Sequence, residues 1–154
     1  MKVFLVRHSH AVDADADLAD AHRYLDAKGR EIARLVGERL REEGVVFDAL
    51  LTSPLVRAVQ TAEILAHALG FGQPVTVLPS LAPGMSVRRT SEEVAALGVS
   101  VACVGHEPSI SALGAVLASQ ATFPAFRPCQ VTLLEGGTPR WTLSPDTREL
   151  VPIQ

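Results

Sequence analysis

The sequence predicts an α/β fold: a three-layer sandwich with a mostly parallel central sheet and helices on both faces. Three observations carry that reading. Short apolar runs alternate with helical stretches along the chain, the signature of doubly wound sheets. The runs are continuously apolar rather than alternating, as in strands covered on both faces. The 154 residues suit a single domain, 1–154, since domains run to ~100–200 residues.

The first run, Val3 to Val6, reads as a buried strand and stops abruptly at Arg7-His8-Ser9-His10. Ala11 to Leu25 includes Asp13, Asp15, Asp17 and Asp20, shows no period and reads as a loop. From Lys28 to Glu43 the pattern turns helical. Ile32, Leu35, Val36 and Leu40 share one face, charged residues cover the rest, and Gly44 ends the helix. Phe47 to Thr52 gives a second strand. Ser53-Pro54 then reads as a helix start, with serine at the N-cap and proline at the first helical position. That helix runs to about Leu69, burying Leu55, Ala58, Ala62, Leu65 and Leu69, and Gly70 and Gly72 stop it.

Val75 to Leu78 is a third short strand, followed by a loop from Pro79 to Gly84 and a short helix around Ser91 to Leu97. Val99 to Val104 is a fourth buried strand, ending at Gly105-His106-Glu107-Pro108. Pro108 or Ser109 opens a helix carrying Ile110, Leu113, Val116 and Leu117. Two closing strands, Gln130 to Leu134 and Trp141 to Leu143, are joined by the turn Glu135-Gly136-Gly137-Thr138.

The bulk composition narrows the function. Net charge is −3, from 14 basic and 17 acidic side chains with no basic run. A nucleic-acid or anionic-membrane partner needs a concentrated positive surface, so neither is expected. A small anionic group remains open, because a few focused arginines vanish in the total. No apolar stretch approaches the ~18 residues of a membrane span, and the apolar run at the N-terminus is too short for a signal peptide. A cytoplasmic location is therefore expected. Cys103 and Cys129 are too few for a disulfide framework, and Cys103 sits in an apolar run as a buried thiol would.

Open α/β sheets bind ligands beyond the carboxyl ends of their strands. Three such ends carry histidine or arginine: Arg7-His8 after the first strand, Arg57 one turn into the helix after the second, and His106 after the fourth. Converging, they make a site of two arginines and two histidines, which suits a phosphate.

These residues also carry a resemblance. Leu5-Val6-Arg7-His8 resembles the Arg-His signature of the histidine phosphatase superfamily, the phosphoglycerate mutase-like proteins. The block from Ser53-Pro54 through Arg57-Ala58-Val59-Gln60-Thr61-Ala62 is similar to the family's second motif, and Val104-Gly105-His106-Glu107 to its third. Leu25-Asp26-Ala27-Lys28-Gly29-Arg30-Glu31 resembles the segment that opens the family's first long helix. The compact length, without a large lid insertion, resembles the SixA-type phosphohistidine phosphatase branch. So does the loop Leu81-Ala82-Pro83-Gly84-Met85, which lacks the carboxylate of larger members.

The resemblance implies a phosphatase without metal or other cofactor. Neutral His8 would attack phosphorus and become a phosphohistidine, which water hydrolyses. Arg7 and Arg57 would hold the phosphoryl oxygens, and His106 would donate a further hydrogen bond. Ser9 stands where the signature usually has glycine and His10 where the SixA-type branch commonly has an acidic residue; both are candidates to line the substrate, and His10 could instead protonate a leaving group or simply face solvent. The implied partner is a phosphohistidine-bearing protein, or else a small phosphorylated molecule. With no carboxylate to protonate an alkoxide, the site should favour labile N–P bonds over phosphate esters.

Other readings are weaker. His8, His10 and His106 could form a three-histidine zinc site, but its usual home, a TIM barrel, needs ~250 residues. Asp13-Ala14-Asp15 does not directly follow an apolar strand, as a phosphoaspartate motif would. Neither cysteine has an arginine six residues on, and no Gly-rich Lys-Ser/Thr phosphate loop is present. A phosphate-binding module without turnover would not require the nucleophile.

Overall fold

The computed structural model describes all 154 residues. Strand β1 (Lys2–Arg7) leads through a long loop to helix α1 (Ala27–Glu42), then β2 (Ala49–Thr52), α2 (Val56–Leu69) and β3 (Thr76–Val77). Helix α3 (Val87–Ala95), β4 (Ser100–Gly105) and α4 (Ser109–Leu117) follow, and the chain closes with β5 (Val131–Glu135), β6 (Thr138–Leu143) and β7 (Leu150–Pro152). The strands form one seven-stranded sheet in the order β3-β2-β4-β1-β5-β6-β7. Pairing is parallel among β1 to β4 and antiparallel from β1 outward through β5, β6 and β7. The sheet is thus parallel on the side that leads into the helices and carries an antiparallel extension on the other.

Strand alternation explains the three layers. Phe4 and Val6 point to one face, where Ala33, Val36 and Leu40 of α1 and Ala58, Ala62 and Leu65 of α2 cover them. Val3 and Leu5 point to the other, against Val94 of α3 and Ile110 and Leu113 of α4. Both faces are therefore buried, which is why the first and fourth strands read as unbroken apolar runs. No helix is long and apolar enough to cross a membrane.

The termini of the elements follow their local chemistry. Asp26 caps α1 by accepting from the Gly29 N–H at 2.7 Å. Gly70 ends α2 in the left-handed region at φ 74°. Gly136 and Gly137 sit at φ 58° and 79°, the double positive φ of a tight hairpin between β5 and β6.

Four expectations are corrected. Helix α2 starts at Val56 with Leu55 as its cap residue, not at Ser53-Pro54. The Ser53 hydroxyl instead closes a short turn, accepting from the Leu55 N–H at 3.3 Å, while bonding a histidine across the sheet. Helix α3 begins earlier than Ser91, because the Ser86 side chain accepts from the Arg89 N–H and caps it. The loop from Ala11 to Leu25 contains a single tight helical turn, Asp20–His22, and a bridge between Ala11 and Leu25. Leu150–Pro152 forms an edge strand on β6 that a segment so short does not announce in its sequence.

Candidate active site

The parallel register brings the two histidines together. Arg7 lies opposite Gly105 on neighbouring strands, so the next residues, His8 and His106, leave the sheet side by side. Their ring centroids are 5.1 Å apart. The His8 N–H donates to the Gly105 carbonyl at 2.9 Å, and the Ser53 N–H donates to Val104, bringing the end of β2 to the same edge. Helix α2 supplies Arg57 from its first turn, with its side chain buried.

Hydrogen bonds fix the protonation of His8. Its Nδ1 lies 2.7 Å from the Ser9 carbonyl, which can only accept, so Nδ1 carries the proton and Nε2 keeps its lone pair. Burial pushes the imidazole pKa down to about 4, opposed by the Ser9 hydrogen bond and reinforced by the charges of Arg57, Arg7 and Arg23. His106 is held down to about 3, first by burial, then by His8 and the arginines. Both rings are neutral at neutral pH.

The His106 Nε2 lies 2.7 Å from the Ser53 hydroxyl. The Ser53 hydroxyl has a proton to offer Nε2, and that arrangement puts the His106 proton on Nδ1. His106 Nδ1, Arg7 Nε and Arg57 Nε are the buried side-chain nitrogens or oxygens without a hydrogen-bond partner in the protein. Buried polar groups are nearly always satisfied. The residues that bear them come together at the carboxyl edge of the parallel strands; the two arginine Nε atoms are donors, and Nδ1 is one in the tautomer that takes its Nε2 proton from Ser53. An anion suits them.

The arginines are anchored by their remaining donors. Arg7 Nη1 donates to the Phe126 carbonyl at 2.8 Å. Arg57 Nη1 donates to the Asp20 carbonyl at 2.7 Å and Nη2 to its carboxylate at 3.3 Å. Arg23 binds the same carboxylate at 3.0 Å, and this hydrogen bond leads the effects that lower the Asp20 pKa. Asp20 and Arg23 escaped the sequence reading, because a carboxylate and an arginine in an aperiodic acidic loop give no sign of folding back onto a helix.

Ser9 was expected to line the substrate position and does something else with its side chain. It is fully buried, its hydroxyl donating to the Gly29 carbonyl at 2.7 Å and its N–H to Thr61 Oγ1 at 3.0 Å. It thereby ties the end of β1 to α1 and α2, and its φ is not positive, so glycine is not needed here. Glycine is needed at 29: a Cβ there would stand 2.0 Å from the His10 carbonyl oxygen. The His10 ring is half-buried and held by no hydrogen bond, while the His10 carbonyl accepts from the Asp26 N–H at 3.2 Å. Asp13, Asp15 and Asp17 are exposed. No three His, Cys, Asp or Glu side chains come together as metal ligands, so a zinc site of His8, His10 and His106 does not form.

The depressed histidines make the stability of the fold depend on pH. Below about pH 6.5 the unfolded chain binds a proton at residue 106 that the folded protein refuses until about pH 3. Stability therefore falls as the pH is lowered through that window, by roughly 1.4 kcal/mol per unit for one such group. Urea midpoints measured between pH 7 and 4.5 should drop less steeply for His106→Gln than for the wild type. Parallel slopes would show that His106 is not held neutral.

Paired arginines and neutral histidines at the carboxyl end of a parallel sheet have the charge and donors that suit a phosphoryl group. The family model described as histidine phosphatase superfamily (branch 1) matches residues 3–83, and the chain belongs to that superfamily. It is 36% identical to the phosphohistidine phosphatase SixA of Escherichia coli, over 94% of each chain. Its fold superposes on the protein histidine phosphatase SixA complexed with tungstate with a TM-score of 0.88, at 31% identity over 94% of this chain and 97% of that one. A putative phosphohistidine phosphatase SixA from Nakamurella multipartitia matches at TM-score 0.69 and 26% identity, over 86% of this chain and 83% of that one.

Proposed function

We propose that this protein is a metal-independent phosphatase that moves the phosphoryl group of a protein phosphohistidine through His8 to water. The observation that carries the reading is a buried neutral imidazole beside three partnerless donors, on Arg7, Arg57 and His106. The likeness to SixA proteins supports the substrate class.

In the first step the His8 Nε2 lone pair attacks phosphorus. An N–P bond forms on His8 while the substrate's N–P bond breaks. The bridging nitrogen keeps the electron pair of the broken bond, so the substrate imidazole leaves neutral when its other ring nitrogen carries a proton. In the second step water attacks, the His8 N–P bond breaks, and inorganic phosphate departs with the oxygen of water. Arg7 and Arg57 offset the charge on the phosphoryl oxygens in both steps, and His106 donates from Nδ1. The Ser9 carbonyl keeps Nδ1 of His8 protonated, stabilising the ring as charge develops on it. The Leu81–Met85 segment brings no carboxylate, so an alkoxide would leave unprotonated. Only residues 70–75 separate α2 from β3, so no lid intervenes there and a protein surface can reach the histidines. A cytoplasmic location is part of the reading, in keeping with two free buried thiols, Cys103 and Cys129.

Phosphate release from a phosphohistidine-bearing protein is expected at neutral pH, undiminished by a chelator. Chelator-sensitive release would overturn metal independence. Release confined to small phosphate esters would move the substrate class, and tungstate binding without any release would leave a phosphate-binding module.

A further inference from the structure

Glu107 follows His106 directly, yet its carboxylate serves a different part of the site. Oε2 accepts from the Ser111 hydroxyl at 2.8 Å, which fixes the side chain against the first turn of α4. Oε1 accepts from the backbone N–H of Phe126 at 3.1 Å. The carbonyl of that same residue, Phe126, accepts from Arg7 Nη1 at 2.8 Å. One residue thus receives an anion on its N–H side and an arginine on its carbonyl side.

The segment that holds it has no regular structure of its own. Residues 118–130 form neither helix nor strand; they are held by the Phe126 ring, 3% exposed and stacked on Phe123 at 6.0 Å, by Arg127, whose N–H donates to Gln130 Oε1 and whose guanidinium pairs with Asp146, and by backbone bonds near Cys129. Glu107 makes no direct ion pair with Arg7, although its charge opposes the effect of burial on that guanidinium.

We propose that Glu107 is a positioning residue for Arg7, acting through the Phe126 backbone to aim the guanidinium at the phosphoryl group. This rests on the phosphatase reading above, in which Arg7 grips the phosphoryl oxygens. Without the carboxylate, the 126 carbonyl drifts and Arg7 Nε loses its aim. Loss of the tie to the loop after β4 uncouples the two strand ends that the site joins.

A double-mutant cycle separates this from a merely structural role. Tungstate, a tetrahedral dianion, serves as a probe that needs no turnover, and phosphoramidate hydrolysis gives KM and kcat. Glu107→Ala should weaken tungstate binding about 10-fold in the wild-type background and less than 2-fold in an Arg7→Ala background. KM should rise in step with the tungstate dissociation constant. Glu107→Gln should stay within about 3-fold of wild type, because its amide oxygen still accepts from the 126 N–H and its amide nitrogen can donate to Ser111. Equal losses in both backgrounds, or unchanged affinity in Glu107→Ala, would overturn the inference while leaving the phosphatase reading intact. Tungstate binding to wild type with no hydrolysis would overturn the phosphatase reading alone. A wild type that neither binds tungstate nor hydrolyses phosphoramidate would overturn both.

Discussion

Replacing His8 by alanine is expected to abolish turnover while leaving the anion site in place. Removing a covalent nucleophile costs on the order of 10⁴–10⁶ in rate, because the remaining groups can only assist direct attack by water. The other donors stay where they are. Arg7 is held by Phe126, Arg57 by Asp20 and His106 by Ser53, none of them through His8. Tungstate affinity should therefore change by less than about tenfold, since the arginines carry most of the charge-assisted binding. Quenching the wild type during turnover should trap a phosphoenzyme that is labile in acid and stable in base, as a phosphoramidate is. None should form on His8→Ala. A variant that keeps more than about one-hundredth of wild-type activity would rule out the covalent route.

Arg57→Ala should produce the second largest loss, about 10²–10³ in kcat/KM, the usual consequence of removing one preorganised donor to a transition-state oxyanion. Arg57 has two duties here. Its Nη atoms hold Asp20 and so close the long loop over α2, while its buried Nε has no partner in the protein. Alanine removes both. Arg57→Lys should recover only a small part, because an ammonium cannot bond Asp20 and a phosphoryl oxygen at once in the planar fork of a guanidinium. Steady-state kinetics on a phosphohistidine protein, paired with thermal melts, separates the losses. Asp20→Asn reports the loop tie together with the anchoring of Arg57 Nη2, while keeping the guanidinium itself. A decrease of less than tenfold in Arg57→Ala would mean that phosphoryl charge is met by Arg7 and His106 without it.

Much of the fold was legible because its signals are local. Buried parallel strands write themselves as apolar runs, and β1 and β4 lie within about a residue of where those runs stand. Helix α1 followed from its apolar stripe and its end from Gly44, while its start at Ala27, capped by Asp26, lies one residue before the Lys28 that the stripe marks. Arg7, His8 and His106 could be proposed together for a geometric reason. Parallel strands all end at one edge of the sheet, so residues that follow two adjacent strands must meet.

The misplaced start of α2 comes from competition for a hydroxyl. Ser53 has the local chemistry of a cap, but its oxygen is drawn to His106, 53 residues away in sequence, and the helix begins later. Ser86 wins the corresponding role for α3 because nothing distant competes for it.

By itself, the sequence determined the alternation of strand and helix, the two buried faces of the sheet, and the placement of two histidines and two arginines where strands end. These depend on periodicity, capping and turn chemistry, which act over a few residues. Only the tertiary structure decided how those side chains are held and protonated. Ser9 turns its hydroxyl into α1, Asp20 folds back onto Arg57, and Glu107 reaches Arg7 through Phe126. The burial that keeps both imidazoles neutral arises the same way. Such contacts join residues tens of positions apart through loops that have no period of their own. Their free energy comes from desolvation and hydrogen bonding in one assembled place, and no local stretch of sequence encodes it.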